Sequence, residues 1–274
     1  MPCRDAQTVD LSGPVVDLLA LGDGAVGITN EPEGGRLFVL KAVGPPLLLG
    51  TARQLVRQDE RHAWLLRPTG GGQTLQLIDQ DGHVSVDAGL PDLGLSLVGT
   101  VNSAPLMQGG EGPTARLLLW DVRGQRPGNP YRNARRLELL GVAGQDLVMA
   151  TVERRSRLFR VHRDGTEDPV DVATSDQYLP PGVTGPAGSL AISVVHGSLA
   201  RLLLVPADGR AGAVQLRTVA SPTGHPVWAD DDHLLVATQD SICLLGIKTP
   251  EVAPLCAPGV PNGISLAGLS SRHG

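Results

Sequence analysis

The stretch SRLFRVHRDG, residues 156–165, is an apolar strand pattern that runs into an Asp-Gly turn. An Asp-Gly pair tolerates the positive φ angles of a tight hairpin, so an antiparallel strand is expected after it. Similar segments recur along the chain: RLFVLKAVG from Arg36, TLQLIDQDG from Thr74, RLLLWDVRG from Arg116, RLFRVHRDG from Arg157, RLLLVPADG from Arg201 and SICLLGIKTP from Ser241. The steps between their starts are 38, 42, 41, 44 and 40 residues, which indicates an internal repeat.

Each repeat holds further short apolar runs around this segment. In the fourth repeat DLVMATVE (from Asp146) precedes it and PVDVA (from Pro169) follows its turn; in the third repeat TVNSAPLMQ, from Thr100, has to serve as the preceding run. No 3.6-residue apolar period of any length lies between the runs, so helices are not expected. Four strands in a period of 40 to 45 residues are typical of a propeller blade. The sequence therefore predicts an all-β fold, a β-propeller with six four-stranded blades.

Two other architectures compete with six blades. A seventh blade would need more chain than 274 residues provide at this period. A β-sandwich repeats strands every 8 to 12 residues but has no reason to repeat a four-strand cassette. We expect one domain over residues 1–274, with residues 7–12 and 263–270 helping to close the ring and with blades at roughly 14–50, 51–90, 91–140, 141–175, 176–220 and 221–258.

The last repeat carries a family resemblance. PVWADDDHLLVATQDSICLLGI, from Pro226 to Ile247, places a Trp, an acidic turn and two apolar strands in succession, and it resembles the repeat of TolB-type, WD40-like propellers. Only this repeat keeps the Trp and the acidic turn together, so the resemblance implies the fold and a role as a binding scaffold but no particular partner. Trp64, Trp120 and Trp228 lie within or at the ends of strands and are expected to pack between blades.

Two of the three cysteines are predicted to form a disulfide. If the last two strands form a hairpin around Lys248 to Glu251, the numbers of paired residues sum to 499, as those of Cys243 and Cys256 do. Directly opposed cysteines on antiparallel strands are within disulfide range. Two buried thiols that happen to align are the alternative. A disulfide would indicate an oxidising compartment.

Arginines are concentrated in residues 115–165, which hold 11 of the 21, although the chain as a whole has a net charge of −5. Turns between third and fourth strands lie on one face of a propeller, and that face is predicted to collect a patch for an anionic partner. The turn that includes QRPGNPYRNARR, residues 125–136, is expected to be an enlarged loop with an exposed Tyr131. A solvated arginine-rich loop is the alternative. The predicted patch consists of Arg123, Arg126, Arg132, Arg135, Arg136 and Arg163.

A second predicted site lies at the mouth of the central channel, on the opposite face. Polar residues of the second-to-third-strand and blade-to-blade turns converge there in a propeller, and His196 and His225 come from neighbouring blades. Ordinary surface polarity is the alternative. The candidate ligand-binding residues are Glu153, Asp176, His196 and His225.

Motif searches point to no reaction, no metal site and no cofactor, because the sequence has no H-E-x-x-H, C-x-x-C, G-x-S-x-G or phosphate-binding loop. An acidic chain with 3% aromatic residues is a poor candidate for nucleic-acid binding. No run of 18 apolar residues is present to span a membrane, and the first residues do not form a signal peptide.

We therefore expect a monomeric, non-enzymatic scaffold that acts outside the cytoplasm and binds a protein, a ligand or an envelope component. The alternatives are a hydrolase or lactonase-like propeller enzyme with its site at the channel mouth, a structural domain of a larger envelope protein, and a cytoplasmic location.

Overall fold

The computed structural model describes most of the chain. The described residues are 11, 13–30, 35–41, 43–91, 94–110, 116–131, 137–151, 157–172, 177–185, 187–196, 199–209, 213–216, 226–238, 241–250 and 252–258. Within these ranges the regular elements are all strands, and no helix is long and apolar enough to cross a membrane.

Twenty-four strands form six sheets of four, and each sheet is antiparallel and built from four consecutive strands. This confirms the six-bladed propeller and excludes the seven-bladed and β-sandwich alternatives. The strands are β1 (Val15–Leu21), β2 (Gly24–Thr29), β3 (Gly35–Leu40), β4 (Leu47–Ala52), β5 (Gln54–Arg57), β6 (His62–Thr69), β7 (Gly72–Asp79), β8 (Val84–Leu90), β9 (Leu95–Val101), β10 (Ala104–Gly109), β11 (Arg116–Asp121), β12 (Arg126–Pro130), β13 (Leu137–Ala143), β14 (Asp146–Thr151), β15 (Leu158–Val161), β16 (Glu167–Pro169), β17 (Gln177–Thr184), β18 (Leu190–His196), β19 (Leu199–Val205), β20 (Val214–Leu216), β21 (Val227–Trp228), β22 (His233–Ala237), β23 (Ser241–Gly246) and β24 (Leu255–Pro258).

The core lies between blades rather than at the centre of the ring. Five apolar clusters each join one blade to the next, from blades 1 and 2 through to blades 5 and 6. Both faces of most blades are therefore covered, which explains why the repeated segments read as nearly continuous apolar runs instead of alternating ones. β15 shows this arrangement, because Leu158 packs in the cluster with blade 5 while Val161 packs in the cluster with blade 3.

The three tryptophans pack between blades as predicted, each at most 3% exposed. The indole N–H of Trp64 donates to Ser103 O of blade 3 at 3.1 Å, and that of Trp228 donates to Val183 O of blade 5 at 2.9 Å. A Cβ at Gly185 would lie 2.4 Å from the Trp228 ring, so only glycine leaves room for this indole.

Blades 3 and 4 depart from the sequence prediction in detail. β12 occupies Arg126–Pro130, so this part of the expected enlarged loop is strand. Tyr131, predicted to be exposed, is only 7% exposed because it packs in the cluster between blades 3 and 4. β13 begins at Leu137, before the blade boundary expected at 140, and β16 begins two residues before the segment expected from Pro169.

The antiparallel pairing of consecutive strands places their turns alternately on two opposite faces of the propeller, here named face A and face B. Face A carries the turns between first and second strands and between third and fourth strands of every blade, for example Asn102–Ser103 and His162–Thr166. Face B carries the turns between second and third strands and the links between blades. The four strands of blade 6 all come from Val227 to Pro258, whereas residues 7–10, 12 and 263–270, expected to help close the ring, lie outside the described residues.

Candidate functional site

The site predicted at the channel mouth falls largely on residues that the structure does not describe. Glu153, Asp176 and His225 are outside the described residues. His196 ends β18 at face B, and its side chain is not described. This site therefore stays a prediction.

The structure describes three of the six arginines in the predicted patch. Arg123 and Arg163 lie exposed in face A turns, and exposed Arg126 opens β12 beside them. Arg132, Arg135 and Arg136 lie outside the described residues. The described part of the patch is thus three arginines of blades 3 and 4 on face A.

Cys243 and Cys256 form a disulfide in blade 6. They are register partners on β23 and β24, as the sum of 499 predicted, with their Cα atoms 4.1 Å apart. Cys243 is buried in the cluster between blades 5 and 6, whereas Cys256 is exposed on the outermost strand.

A cleft opens on face A between blades 3 and 4. Its volume is about 310 Å³. The floor is apolar and includes buried Val101 and half-buried Leu119, and the rim carries amide, carboxylate and guanidinium groups. The lining residues are Val101, Asn102, Ala104, Leu119, Trp120, Asp121, Gly128, Gln145, Asp146 and Arg163.

Short turns leave this cleft uncovered. Asn102 and Ser103 have φ angles of 50° and 64°, as in the two-residue hairpin that gives the tightest link between antiparallel strands. On the other side of blade 4 the corresponding space is closed, because Gly144 N–H donates to Gly188 O of blade 5 at 2.8 Å. Blade 4 is thus sealed against blade 5 and open towards blade 3 at the same end.

The two carboxylates of the cleft already have partners. Asp121 accepts the N–H of Gly124 at 3.0 Å and lies 3.7 Å from Arg126. The Gly124 N–H is the main reason that the pKa of Asp121 is held below its usual value, and the N–H of Arg123 and the charge of Arg126 add to it. Asp121 is therefore ionised and partly neutralised by its own blade.

Asp146 takes part in a larger network. Its Oδ1 lies 2.8 Å from Nδ1 of His162, whose Nε2 lies 3.0 Å from Oδ2 of Asp168. Its Oδ2 lies 3.7 Å from the guanidinium of Arg160. The bonds to Asp168 and then to Asp146 raise the pKa of His162 above its ordinary value of 6.5, because only the imidazolium donates from both ring nitrogens. Asp146 is thus contacted by two basic side chains of blade 4, His162 and Arg160.

Arg163 is the charged group of the cleft that has no ion-pair partner among the described residues. The guanidinium of Arg163 lines the cleft together with Asp146, but the Asp146 carboxylate already contacts His162 and Arg160. Its charge also acts on Tyr131. Burial raises the pKa of the Tyr131 hydroxyl, and the positive charge of Arg163 lowers it by a smaller amount. The amides of Asn102 and Gln145 are exposed at the same rim. The cleft therefore offers donors for an acceptor-rich group above an apolar floor.

One other cluster on face A has the composition of a metal site. Asp79, Asp81 and His83 bring ligand atoms within 4.8 Å of one another. Asp79 accepts the backbone N–H groups of Asp81 and His83 at 2.8 and 2.9 Å, and Lys41 lies 2.7 Å from Asp81. These contacts explain the cluster as a capped turn between β7 and β8.

Sequence reasoning found Arg163 but not the cleft. It assigned no binding role to Asp121, Asp146, Asn102 or Gln145. These residues come from turns in two repeats about 43 positions apart, and nothing in the sequence shows which neighbouring turns leave a gap.

The fold defines the protein as a six-bladed β-propeller. No family model matches the chain, and no curated protein is similar to it. Solved structures show the fold alone, at low identity. A catalytically inactive variant of virginiamycin B lyase from Staphylococcus aureus, solved with quinupristin, has a TM-score of 0.61 and 10% identity and covers 96% of this chain and 91% of its own. The propeller domain of the trilobed protease from Pyrococcus furiosus, described as having an open velcro topology, has a TM-score of 0.57 and 10% identity, and the match covers 89% of this chain and 84% of that domain's chain. Hydrazine synthase from Kuenenia stuttgartiensis has a TM-score of 0.56 and 12% identity, and the match covers 91% of this chain and 80% of the synthase chain.

Proposed function

We propose that this propeller is a binding scaffold that works outside the cytoplasm and holds its ligand or partner in the face A cleft between blades 3 and 4. The cleft carries the proposal, because it combines an apolar floor with a few polar groups in a concave site. Small-molecule and peptide-end sites share this composition, and about 310 Å³ is near the lower end of their sizes.

The disulfide of blade 6 supports the proposed location. Such bonds persist in secreted, periplasmic and surface proteins and are rare in the cytosol, where thiols are kept reduced. The solved structures with this fold include lyases and a protease domain, so the fold is compatible with more than one activity. The proposal therefore rests on the site.

A ligand screen with cleft-filling variants tests the proposal. Ala104→Phe should fill the cleft from β10, and Gln145→Trp should cover it from an exposed turn position, where substitutions usually change stability little. Compounds and short peptides are screened by thermal shift against the wild type and both variants. A ligand at 100 times its Kd stabilises the folded state by about 2.7 kcal/mol.

At least one ligand is expected to raise the Tm of the wild type and to lose this effect in both variants. Arg123→Gln, on the same face but outside the cleft, is the matched control and should respond like the wild type. Ligands that stabilise Gln145→Trp as much as the wild type would contradict the proposal, and so would a broad screen without any ligand.

A further inference from the structure

Arg163 gives the cleft a preference for one kind of chemical group. A guanidinium pairs best with a carboxylate or phosphate, through two parallel N–H···O bonds. The two carboxylates that line the cleft with Arg163, those of Asp121 and Asp146, already contact other basic side chains, so an incoming anion would not have to displace an existing ion pair of Arg163. The amides of Asn102 and Gln145 add neutral donors at the rim.

The size and floor of the cleft limit what accompanies that anion. A volume of about 310 Å³ holds one or two amino-acid residues or a small organic acid. The floor of Val101, Leu119 and Ala104 would cover an apolar group and gain about 25 cal/mol for each Å² removed from water. The occupant is therefore an anion with an apolar body.

The rest of face A selects against a polyanion. Among the described residues of this face, acidic side chains outnumber basic ones, so they contribute a negative long-range field. The exposed or half-buried acids are Asp23, Asp59, Glu60, Asp79, Asp81, Asp121, Asp146, Asp164, Glu167, Asp168, Asp208, Asp230, Asp231 and Asp232, and the exposed or half-buried bases are Lys41, Arg57, Arg61, Arg123, Arg126, Arg163 and Lys248. A polyanionic polymer or an anionic lipid surface would be repelled, whereas a ligand with one carboxylate and nearby positive charges would be attracted.

We propose that the cleft captures the free C-terminal carboxylate of a peptide or protein tail that ends in an apolar residue preceded by basic residues. This inference rests on the proposed function. The carboxylate pairs with Arg163, the last side chain lies on the apolar floor, and the basic residues lie over the acidic surface outside the cleft. Capture of a terminal carboxylate by converging donors is a known mode of peptide recognition.

Fluorescence anisotropy with a labelled hexapeptide, KRKGSL, tests the inference. The peptide with a free carboxylate should bind, and the same peptide with an amidated C-terminus should bind at least about tenfold more weakly, because the charge-assisted pair with Arg163 is lost. EEEGSL with a free carboxylate should also bind more weakly than KRKGSL, and added salt should reduce this difference. N-acetyl-leucine, which has the same carboxylate and side chain, should displace KRKGSL only at a far higher concentration.

Arg163→Gln identifies the recognising group. It should weaken KRKGSL about tenfold and abolish the preference for the free carboxylate over the amide, whereas Arg123→Gln should change neither. Equal binding of the free and amidated peptides to the wild type would overturn the inference, and so would a preference that survives in Arg163→Gln. N-acetyl-leucine binding as tightly as KRKGSL would assign the site to small acids instead of tails.

The two proposals fail in different ways. If screened ligands bind the wild type but not Gln145→Trp while KRKGSL does not bind, the C-terminal inference is wrong and the cleft remains a binding site. If Gln145→Trp binds KRKGSL and every other ligand like the wild type, the cleft itself is not the site.

Discussion

Blade 4 is closed on one side and open on the other, and two arginines three residues apart mark the difference. Arg160 is 3% exposed, donates to Pro206 O of blade 5 and lies 3.7 Å from Asp146. Arg163 is exposed in the adjoining turn and lines the cleft towards blade 3. The same residue type thus has a structural role where a neighbouring blade covers it and is available to a ligand where the neighbour is withdrawn.

The largest expected effect follows from the buried side of this comparison. Arg160→Ala removes one partner of a buried ion pair and leaves Asp146 less compensated, so we expect a loss of about 3 to 5 kcal/mol in the free energy of unfolding. Arg163→Ala should change it by less than about 0.5 kcal/mol, as is usual at exposed positions. Urea denaturation measures both.

Arg160→Met, which keeps most of the side-chain volume, separates the loss of charge from the loss of packing. If Arg160→Ala and Arg163→Ala cost the same, the distinction between a structural and an available arginine is wrong.

Blade 6 extends the comparison to a covalent link. The hairpin of β23 and β24 leaves Val252 and Leu255 exposed, so packing contributes little there and the disulfide should matter more. Closing a loop with a sequence separation of 13 residues stabilises a fold by about 3 kcal/mol, and Cys243→Ala with Cys256→Ala should lower the free energy of unfolding by about that amount.

Alkylation followed by mass measurement provides the direct check on this bond. Cys243 and Cys256 should resist alkylation in the native protein, whereas the reduced, unfolded protein should show three reactive thiols. Cys3→Ser is the control and should not affect stability. Three reactive thiols in the native protein would show that the bond is not formed.

Blade 1 adds a half-buried carboxylate, that of Asp17, for which the described part of the chain supplies no ion-pair partner. Asp17 of β1 is bonded to the backbone N–H groups of Leu18 and Leu55, and burial, the dominant effect, raises its pKa from 3.8 to about 6. The folded state therefore binds more protons than the unfolded state between these values, so Asp17 lowers stability progressively as pH rises from 3.8 to about 6.

Asp17→Asn removes this penalty while keeping an acceptor for the backbone. Above pH 6 the variant should be more stable than the wild type by about 3 kcal/mol, and near pH 3 the difference should vanish. Denaturation curves at several pH values give the difference. A wild type that is the more stable protein at pH 7 would show that the carboxylate has a charged partner after all.

The smallest effect concerns His162, the histidine that contacts Asp146. The pKa of His162 is raised, so its contribution to stability is complete below pH 6.5 and is lost as pH rises through its folded-state pKa. Asp168→Asn should move the pKa of His162 back towards 6.5, and the cost should stay below about 0.5 kcal/mol because Asp168 is 70% exposed.

An NMR titration of the imidazole signals measures this pKa in the folded protein. Asp81→Asn, on blade 2, is the control and should leave the His162 titration unchanged. An unchanged titration in Asp168→Asn would show that the Nε2 contact does not form in solution, and Asp146 would then be less firmly occupied than the geometry indicates.

Sequence reasoning predicted the fold because its signal is local and repeated six times. Strand, turn and period were readable at each repeat, and the register of β23 with β24 followed from one turn. Alternation along a strand places Leu158 and Arg160 on one face of blade 4, and both contact blade 5 in the structure. Sequence reasoning failed at Tyr131, because a polar, proline-rich stretch that reads as a loop forms β12 and brings the tyrosine into the core.

The candidate site was less accessible to such reasoning. Arg163 was correctly placed in a turn between third and fourth strands, but it was grouped with arginines by proximity in sequence. In the structure the described members of that group, Arg123, Arg126 and Arg163, lie among acids of the same turns. Surface charge depends on which turns meet, and turns that meet are separated by one or more repeats.

By itself the sequence determined the blade, the number of blades and the pairing of Cys243 with Cys256, since each depends on a short-range pattern of apolar residues, turns and alternation. Only the tertiary structure decided where two blades seal and where they leave a cleft. That outcome depends on the packing of whole sheets against each other, and a few ångströms of separation between turns make Arg160 part of the core and leave Arg163 available for a ligand.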